Sequence, residues 1–300
     1  MKIISVQPRG YCHGVIRAIR LAQKTKEKYP NTPITILGML VHNQHVVDVL
    51  AESGMQTIED KNQDRLSLLD KIQEGIVLFT AHGVSPAVYQ KAKEKGLQVV
   101  DATCPDVLKT HELIKDYADD VIYLGKKNHP ESEGTVGLSK RVHLVSNLED
   151  LKALQDIEIH NPIITNQTTL SLLDLQDLIE ACLKQYPNAK VVREICPATR
   201  LRQEAILNLE ADALYVVGDV RSNNSNQLAI IARKIGIPFV KMISSVNDIQ
   251  ESELIGKERI AITSGSSTPN ALTNQVVSFL QEYEKTGKFE LPVELNRQLL

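Results

Sequence analysis

Three of the four cysteines in this chain, Cys12, Cys104 and Cys196, stand 92 residues apart, and polar residues recur behind each of them in the same order. Behind Cys12 come His42 and His82; behind Cys104, His129 and Thr168; behind Cys196, Ser222 and Ser267. A thiol at a helix N-terminus ionises readily because the dipole favours the anion, and thiolates are ligands for soft metals. The histidine, serine and threonine side chains, with Glu131 and Asn224 near them in sequence, are mostly neutral hydrogen-bonding groups of the kind that wrap a phosphate or diphosphate. Taken singly, a His, Ser or Thr after a strand is more often a turn or N-cap group than a ligand. Recurrence at matching stations is what favours the functional reading.

The elements that must position these residues repeat as well. Each cysteine follows a short, largely apolar stretch (3–6, 97–100 and 189–192) and opens a segment with helical spacing, with Pro105 and Pro197 placed where proline suits the first helical position. A β-favouring run closed by Gly38, Gly125 or Gly218 comes next, with His42, His129 or Ser222 four residues on. A third apolar run ends at His82, Thr168 or Ser267. Strands alternating with helices predict an α/β fold of three pseudo-threefold-related α/β domains with small, mostly parallel sheets. Ligand groups of such sheets gather at the carboxyl ends of the strands, which predicts a central iron–sulfur or other metal site. The expected domains are 1–103 (Cys12, His42, His82), 104–195 (Cys104, His129, Glu131, Thr168) and 196–284 (Cys196, Ser222, Asn224, Ser267), followed by a C-terminal tail, 285–300, after a helix stopped at Gly287. The strand before each cysteine can belong to either neighbouring sheet.

No Cys-x-x-Cys pair of the sort that builds a closed zinc site is present. Ligands this far apart favour a large cofactor bridging domains, and a 4Fe–4S cluster on three cysteines keeps one iron open to a substrate. Two other readings stay open: a zinc hydrolase with three thiolates and a water, and a non-enzymatic cluster that senses oxygen or iron. Cys182 lies in a helical pattern and is expected in a core. His45 and His111 lack counterparts and are expected on helix surfaces; the ring of His13, beside Cys12, is expected to point away from the thiol.

Composition narrows the classes of partner. The 300 residues are 42% hydrophobic, enough for several cores, and a net charge of -3 supplies no basic field for nucleic acid or anionic lipid. Aromatics are 4% with no Trp, which leaves few platforms for stacking bases. The first eight residues lack a secretory apolar core and no apolar run nears a membrane span, so a cytoplasmic location is expected. Neither a G-x-G-x-x-G nor a G-x-x-x-x-G-K-[ST] motif occurs, so electrons for any reduction are expected from another protein.

The motifs Gly10-Tyr11-Cys12-His13-Gly14, Val41-His42-Asn43, Ala81-His82-Gly83, Asp101-Ala102-Thr103-Cys104-Pro105, His129-Pro130-Glu131, Gln167-Thr168-Thr169, Cys196-Pro197-Ala198-Thr199, Ser222-Asn223-Asn224 and Gly265-Ser266-Ser267 occur in fixed order across nearly the whole chain. Together they resemble the LytB, or IspH, family of 4-hydroxy-3-methylbut-2-enyl diphosphate reductases. The resemblance implies the last step of the methylerythritol phosphate route to isoprenoids: reductive removal of a hydroxyl from an allylic diphosphate, giving isopentenyl and dimethylallyl diphosphates. It further implies an oxygen-sensitive 4Fe–4S cluster with one open iron, and ferredoxin or flavodoxin as electron donor. By the same resemblance Cys12, Cys104 and Cys196 are the cluster ligands, and His42, His82, His129, Ser222, Asn223, Asn224 and Ser267 bind the diphosphate. Glu131 is the proton donor, Thr168 the group that orients it and the substrate hydroxyl, and His129 a further catalytic contact in the proton network. Tyr11, His13 and Asn223 depart from the pattern common in the family.

Overall fold

Runs such as Ile34-Thr35-Ile36-Leu37 and Ile76-Val77-Leu78-Phe79 are buried along their whole length, as strands covered by helices on both faces must be. In this computed structural model, which describes residues 1–60 and 62–300, twelve strands form among the described residues. They are β1 (Lys2–Ser5), β2 (Ile34–Leu37), β3 (Gln56–Ile58), β4 (Ile76–Phe79), β5 (Gln98–Asp101), β6 (Val121–Leu124), β7 (Val142–Val145), β8 (Ile163–Asn166), β9 (Lys190–Val191), β10 (Ala213–Val217), β11 (Phe239–Ile243) and β12 (Arg259–Ser264).

They make three four-stranded sheets, ordered β3-β2-β4-β5, β7-β6-β8-β9 and β11-β10-β12-β1, and every pairing is parallel. The order is one pattern used three times. In each sheet the strand that leads to a cysteine lies on the edge beside the strand that leads to the third polar station. For Cys12 that edge strand is β1, which pairs with β12 in the register Lys2↔Arg259 to Ser5↔Ile262. The first strand of the chain therefore completes the last sheet, and the first sheet draws only on residues 34–101.

The chain packs as two compact units. One comprises residues 1–16, 42–49 and 197–300 and holds the sheet with β1; the other comprises 17–41 and 50–196 and holds the other two sheets. Apolar clusters sit on both faces of the β10–β12 sheet, one including Tyr215, Ile262 and Leu280, the other Leu214, Val216 and Leu228. The final helix, Asn270–Thr286, stops at Gly287, whose φ of 67° is the left-handed cap that glycine adopts without strain. Beyond it Phe289 folds back edge-on to Phe279, with ring centroids 5.2 Å apart, so the end of the chain covers the core.

Candidate functional site

Parallel strands side by side end at the same level, and here that ties each cysteine loop to the polar loop next to it. Past the last paired residues of β1 and β12, the Cys12 N–H donates to the Ser266 carbonyl at 3.1 Å. Past β5 and β4, Cys104 N–H donates to Ala81 O at 3.0 Å; past β9 and β8, Cys196 N–H donates to Thr168 O at 3.1 Å. One backbone bond thus recurs three times at the same stations. Each cysteine directly precedes a helix, His13–Lys28, Pro105–Lys115 or Pro197–Leu207, and each is partly exposed, whereas Cys182 is buried.

In the larger unit the bonds run on from Cys196. Thr168 donates from its backbone N–H to Glu131 Oε1 at 2.7 Å and from its hydroxyl to Glu131 Oε2 at 2.9 Å. The helix Pro130–Val136 starts at His129, whose Nδ1 accepts from the Glu131 N–H at 3.2 Å. A neutral His129 must then carry its proton on Nε2, which makes that edge a hydrogen-bond donor. His82, one residue past the Ala81 carbonyl that holds Cys104, meets His129 edge-on with centroids 5.6 Å apart. Its Nδ1 lies 3.3 Å from the Thr80 hydroxyl. Glu131 is only 2% exposed. Burial pushes its carboxyl up to about 7, against the pull of the two bonds from Thr168 and of the nearby Tyr123 hydroxyl, with a small further push from Asp106.

The smaller unit gathers the other polar loops. Ser222 is the N-cap of the helix Asn223–Lys234, its Oγ accepting from Ser225 N–H. Ser267 Oγ lies 3.2 Å from Ser222 Oγ and donates to the His42 carbonyl at 3.0 Å. Asn224 accepts from the Ser266 N–H at 3.0 Å and donates to Thr199 Oγ1 at 3.1 Å. Since Ser266 O is the partner of Cys12, the Asn224 amide also braces that cysteine loop.

Gly10 sets the entry to Cys12. It has φ of 75°, and a Cβ there would fall 1.6 Å from Asn270 Oδ1, the atom that accepts from Tyr11 N–H. Its carbonyl takes the buried Arg202 guanidinium at 2.6 Å. Gly10→Ala is expected to lower the free energy of unfolding by about 1–3 kcal/mol, measured by urea denaturation, through the left-handed φ and the displaced Asn270.

A model of the LytB protein family matches residues 3–281. The chain belongs to the LytB family. Similar LytB-family proteins, each named 4-hydroxy-3-methylbut-2-enyl diphosphate reductase, come from Symbiobacterium thermophilum, 49% identical over 94% of this chain and 98% of that protein, and from Brevibacillus brevis, 48% identical over 95% and 93%. Among solved structures, the E-1-hydroxy-2-methyl-but-2-enyl-4-diphosphate reductase of Plasmodium falciparum is similar with a TM-score of 0.85 and 29% identity, over 99% of this chain and 93% of that one. A second, an (E)-4-hydroxy-3-methyl-but-2-enyl diphosphate reductase described as the terminal enzyme of the non-mevalonate pathway, has a TM-score of 0.65 and 30% identity over 94% and 100%. The LytB family is a family of iron–sulfur enzymes. Among the described residues no helix is long and apolar enough to cross a membrane.

Against the LytB motifs, the larger unit brings His82, His129, Glu131 and Thr168 into one bonded or ring-contact series, and the smaller links Ser222, Ser267 and the His42 backbone, with Asn224 on the Ser266 loop. Asn223 follows the Ser222 cap and is buried. One sequence expectation is corrected: His111 is 4% exposed and lies with Nε2 3.2 Å from Thr135 Oγ1, not on a helix surface. The signal was available, because Val107, His111 and Ile114 form the buried stripe of their helix. His45, also expected on a helix surface, is half-buried. Two residues passed over in the sequence also support the site. Gln167 Oε1 accepts from the Lys126 N–H at 2.9 Å, holding the loop that leads to His129, and Tyr123 stands buried beside Glu131.

Proposed function

We infer that this chain converts (E)-4-hydroxy-3-methylbut-2-enyl diphosphate into isopentenyl and dimethylallyl diphosphates by two-electron reductive dehydroxylation. Membership of the LytB family and the names of its relatives support the reaction; the observation in this structure that carries it is the Glu131 carboxyl, buried, clamped by Thr168 and pushed up to about 7. Such a group is half-protonated near neutral pH, as an acid that must deliver a proton and regain it should be.

Cys12, Cys104 and Cys196 fit an iron–sulfur cluster chemically: three partly exposed thiols directly before helices, each with its backbone N–H tied to a neighbouring loop. Cys182, buried among Leu175, Ile179 and Leu154 with its thiol pushed up to about 11, does not. With three cysteine ligands a 4Fe–4S cluster keeps one open iron, and when bound it supplies electrons one at a time and a Lewis acid for the substrate hydroxyl.

The rest of the work falls to the chain. When Glu131 is protonated, its Oε2–H donates to Thr168 Oγ1, which frees the Thr168 hydroxyl proton for the substrate oxygen. Water leaves as that proton is delivered, and the allylic fragment is protonated at either of two carbons, which gives two products. His129 and His82 offer ring N–H donors to the diphosphate, and His42, Ser222, Asn223, Asn224 and Ser267 complete its binding set. The donor is a small iron–sulfur or flavin protein of the ferredoxin or flavodoxin type.

Anaerobic reconstitution tests this. The purified protein is expected to turn brown with broad visible absorption and, with a low-potential reductant, to form both C5 diphosphates from the allylic alcohol diphosphate. A colourless protein that binds zinc, or a brown one that leaves the substrate unchanged, would overturn it.

A further inference from the structure

Behind Glu131 the larger unit contains polar groups that the reaction above does not use. The Tyr123 phenol is fully buried, and among the described residues its oxygen meets no partner at hydrogen-bonding geometry, although it adjoins the Glu131 carboxyl and the Ser132 and Thr135 hydroxyls. Thr135 Oγ1 donates to the Glu131 carbonyl at 2.7 Å. It therefore accepts from His111 Nε2, 3.2 Å away, and that bond leaves the His111 Nδ1 unprotonated in the neutral ring. His111 in turn lines a cavity of about 680 Å³ between helices, together with Val84, Tyr89, Lys93, Leu108 and Lys115.

A buried hydroxyl with no partner is destabilising, and a phenylalanine in place of Tyr123 would avoid it. A function explains why the oxygen is there. We propose that Glu131 is re-protonated through Tyr123, Thr135 and His111 from solvent entering this cavity, a route separate from its contacts with Thr168 and His129. The route rests on the reading of Glu131 as the proton donor.

After Glu131 has given up its proton, the Tyr123 hydroxyl turns to the carboxylate and transfers its proton, and the Thr135 hydroxyl turns from the Glu131 carbonyl to Tyr123 and replaces it. His111 Nε2–H restores Thr135, and Nδ1 takes one proton from hydronium or a buffer acid in the cavity. One proton crosses and no electron moves; the imidazole is left in its Nδ1–H form, and as the ring turns toward the cavity, solvent protonates Nε2 and takes the Nδ1 proton, which resets it. Burial holds His111 down to about 4, with Lys115 adding to this and Asp101 opposing it, so the ring is neutral at working pH and able both to give and to accept.

Tyr123→Phe removes only the unpartnered oxygen, and His111→Gln keeps an N–H for Thr135 but cannot relay. In the reconstituted enzyme both are expected to lower kcat about tenfold with KM unchanged and to raise the solvent deuterium isotope effect on kcat. Imidazole in the buffer, small enough for the cavity, should restore His111→Gln. In infrared difference spectra of the purified proteins, the protonated-carboxyl band lost in Glu131→Gln should shift in Tyr123→Phe. Wild-type kcat and isotope effect in both variants would overturn the route. So would a fall in kcat that imidazole does not restore with an unshifted carboxyl band, since that marks a packing effect. An inactive Glu131→Gln beside an unaffected Tyr123→Phe removes the route alone; a fully active Glu131→Gln removes the role of Glu131 beneath it.

Discussion

Glu131→Gln is expected to keep the fold and substrate affinity while losing turnover by roughly 10²- to 10⁴-fold, the usual contribution of a positioned general acid. The replacement is nearly isosteric. Its amide oxygen can accept from the Thr168 N–H and its amide nitrogen can donate to Thr168 Oγ1, so both bonds that clamp the carboxyl survive. What is lost is a proton that can leave. Steady-state kinetics should therefore show a fall in kcat with little change in KM, and retention of near-normal kcat would take Glu131 out of the proton path.

The same variant should alter how stability depends on pH. Glu131 is held near 7 in the folded protein against an ordinary value of 4.5, so between these pH values the folded state holds more protons than the unfolded one. Stability from this group is therefore full below 4.5 and is lost as pH rises through 7, by about 3 kcal/mol at roughly 1.4 kcal/mol per pKa unit. His111 acts in the opposite direction: held near 4 against 6.5, it takes up protons more readily when unfolded, and its contribution is lost as pH falls from 6.5 through 4. In the wild type the two trends offset each other between about 4.5 and 6.5. Glu131→Gln should uncover the histidine trend, so that urea unfolding shows stability rising with pH across that interval. In wild-type enzyme, turnover should decline as pH rises through about 7, where the acid form of Glu131 empties.

The central strands were legible in the sequence because parallel strands buried on both faces read as unbroken apolar runs, as β2, β4, β6 and β10 do. The cysteine intervals were legible because the same strand order is used three times. The sheet that β1 joins was not, since its partner Arg259 lies at the other end of the chain and no local pattern encodes that register. Tyr123 was hidden for a related reason. In the run Val121-Ile122-Tyr123-Leu124 every side chain is buried, so an aromatic reads as core, and only the fold places its hydroxyl beside Glu131. Asn224 was read as a substrate contact, and its bonds to Ser266 and Thr199 add a bracing role that spacing alone does not reveal.

Cys104→Ser should leave little iron in the protein and abolish activity, whereas Cys182→Ser should keep the iron and lose stability instead. The contrast follows from where the two sulfurs lie. Cys104 is partly exposed as the N-cap of the helix Pro105–Lys115, with its backbone held by Ala81 O, so a serine fits there without a buried penalty and can itself cap the helix. Its hydroxyl is a far poorer ligand for iron than a thiolate, because it stays protonated at neutral pH and is harder. Cys182 is fully buried among aliphatic side chains of the β6–β9 sheet's core, where a hydroxyl must bond back to its own helix or go without a partner. That should lower unfolding free energy by about 1–3 kcal/mol. Iron content and visible absorption after anaerobic reconstitution, set against urea midpoints of both variants, separate the two roles. A Cys104→Ser protein carrying full iron and full activity would remove that residue from the ligand set. A Cys182→Ser protein that lost its iron at unchanged stability would place the fourth cysteine on the cluster instead of in the core.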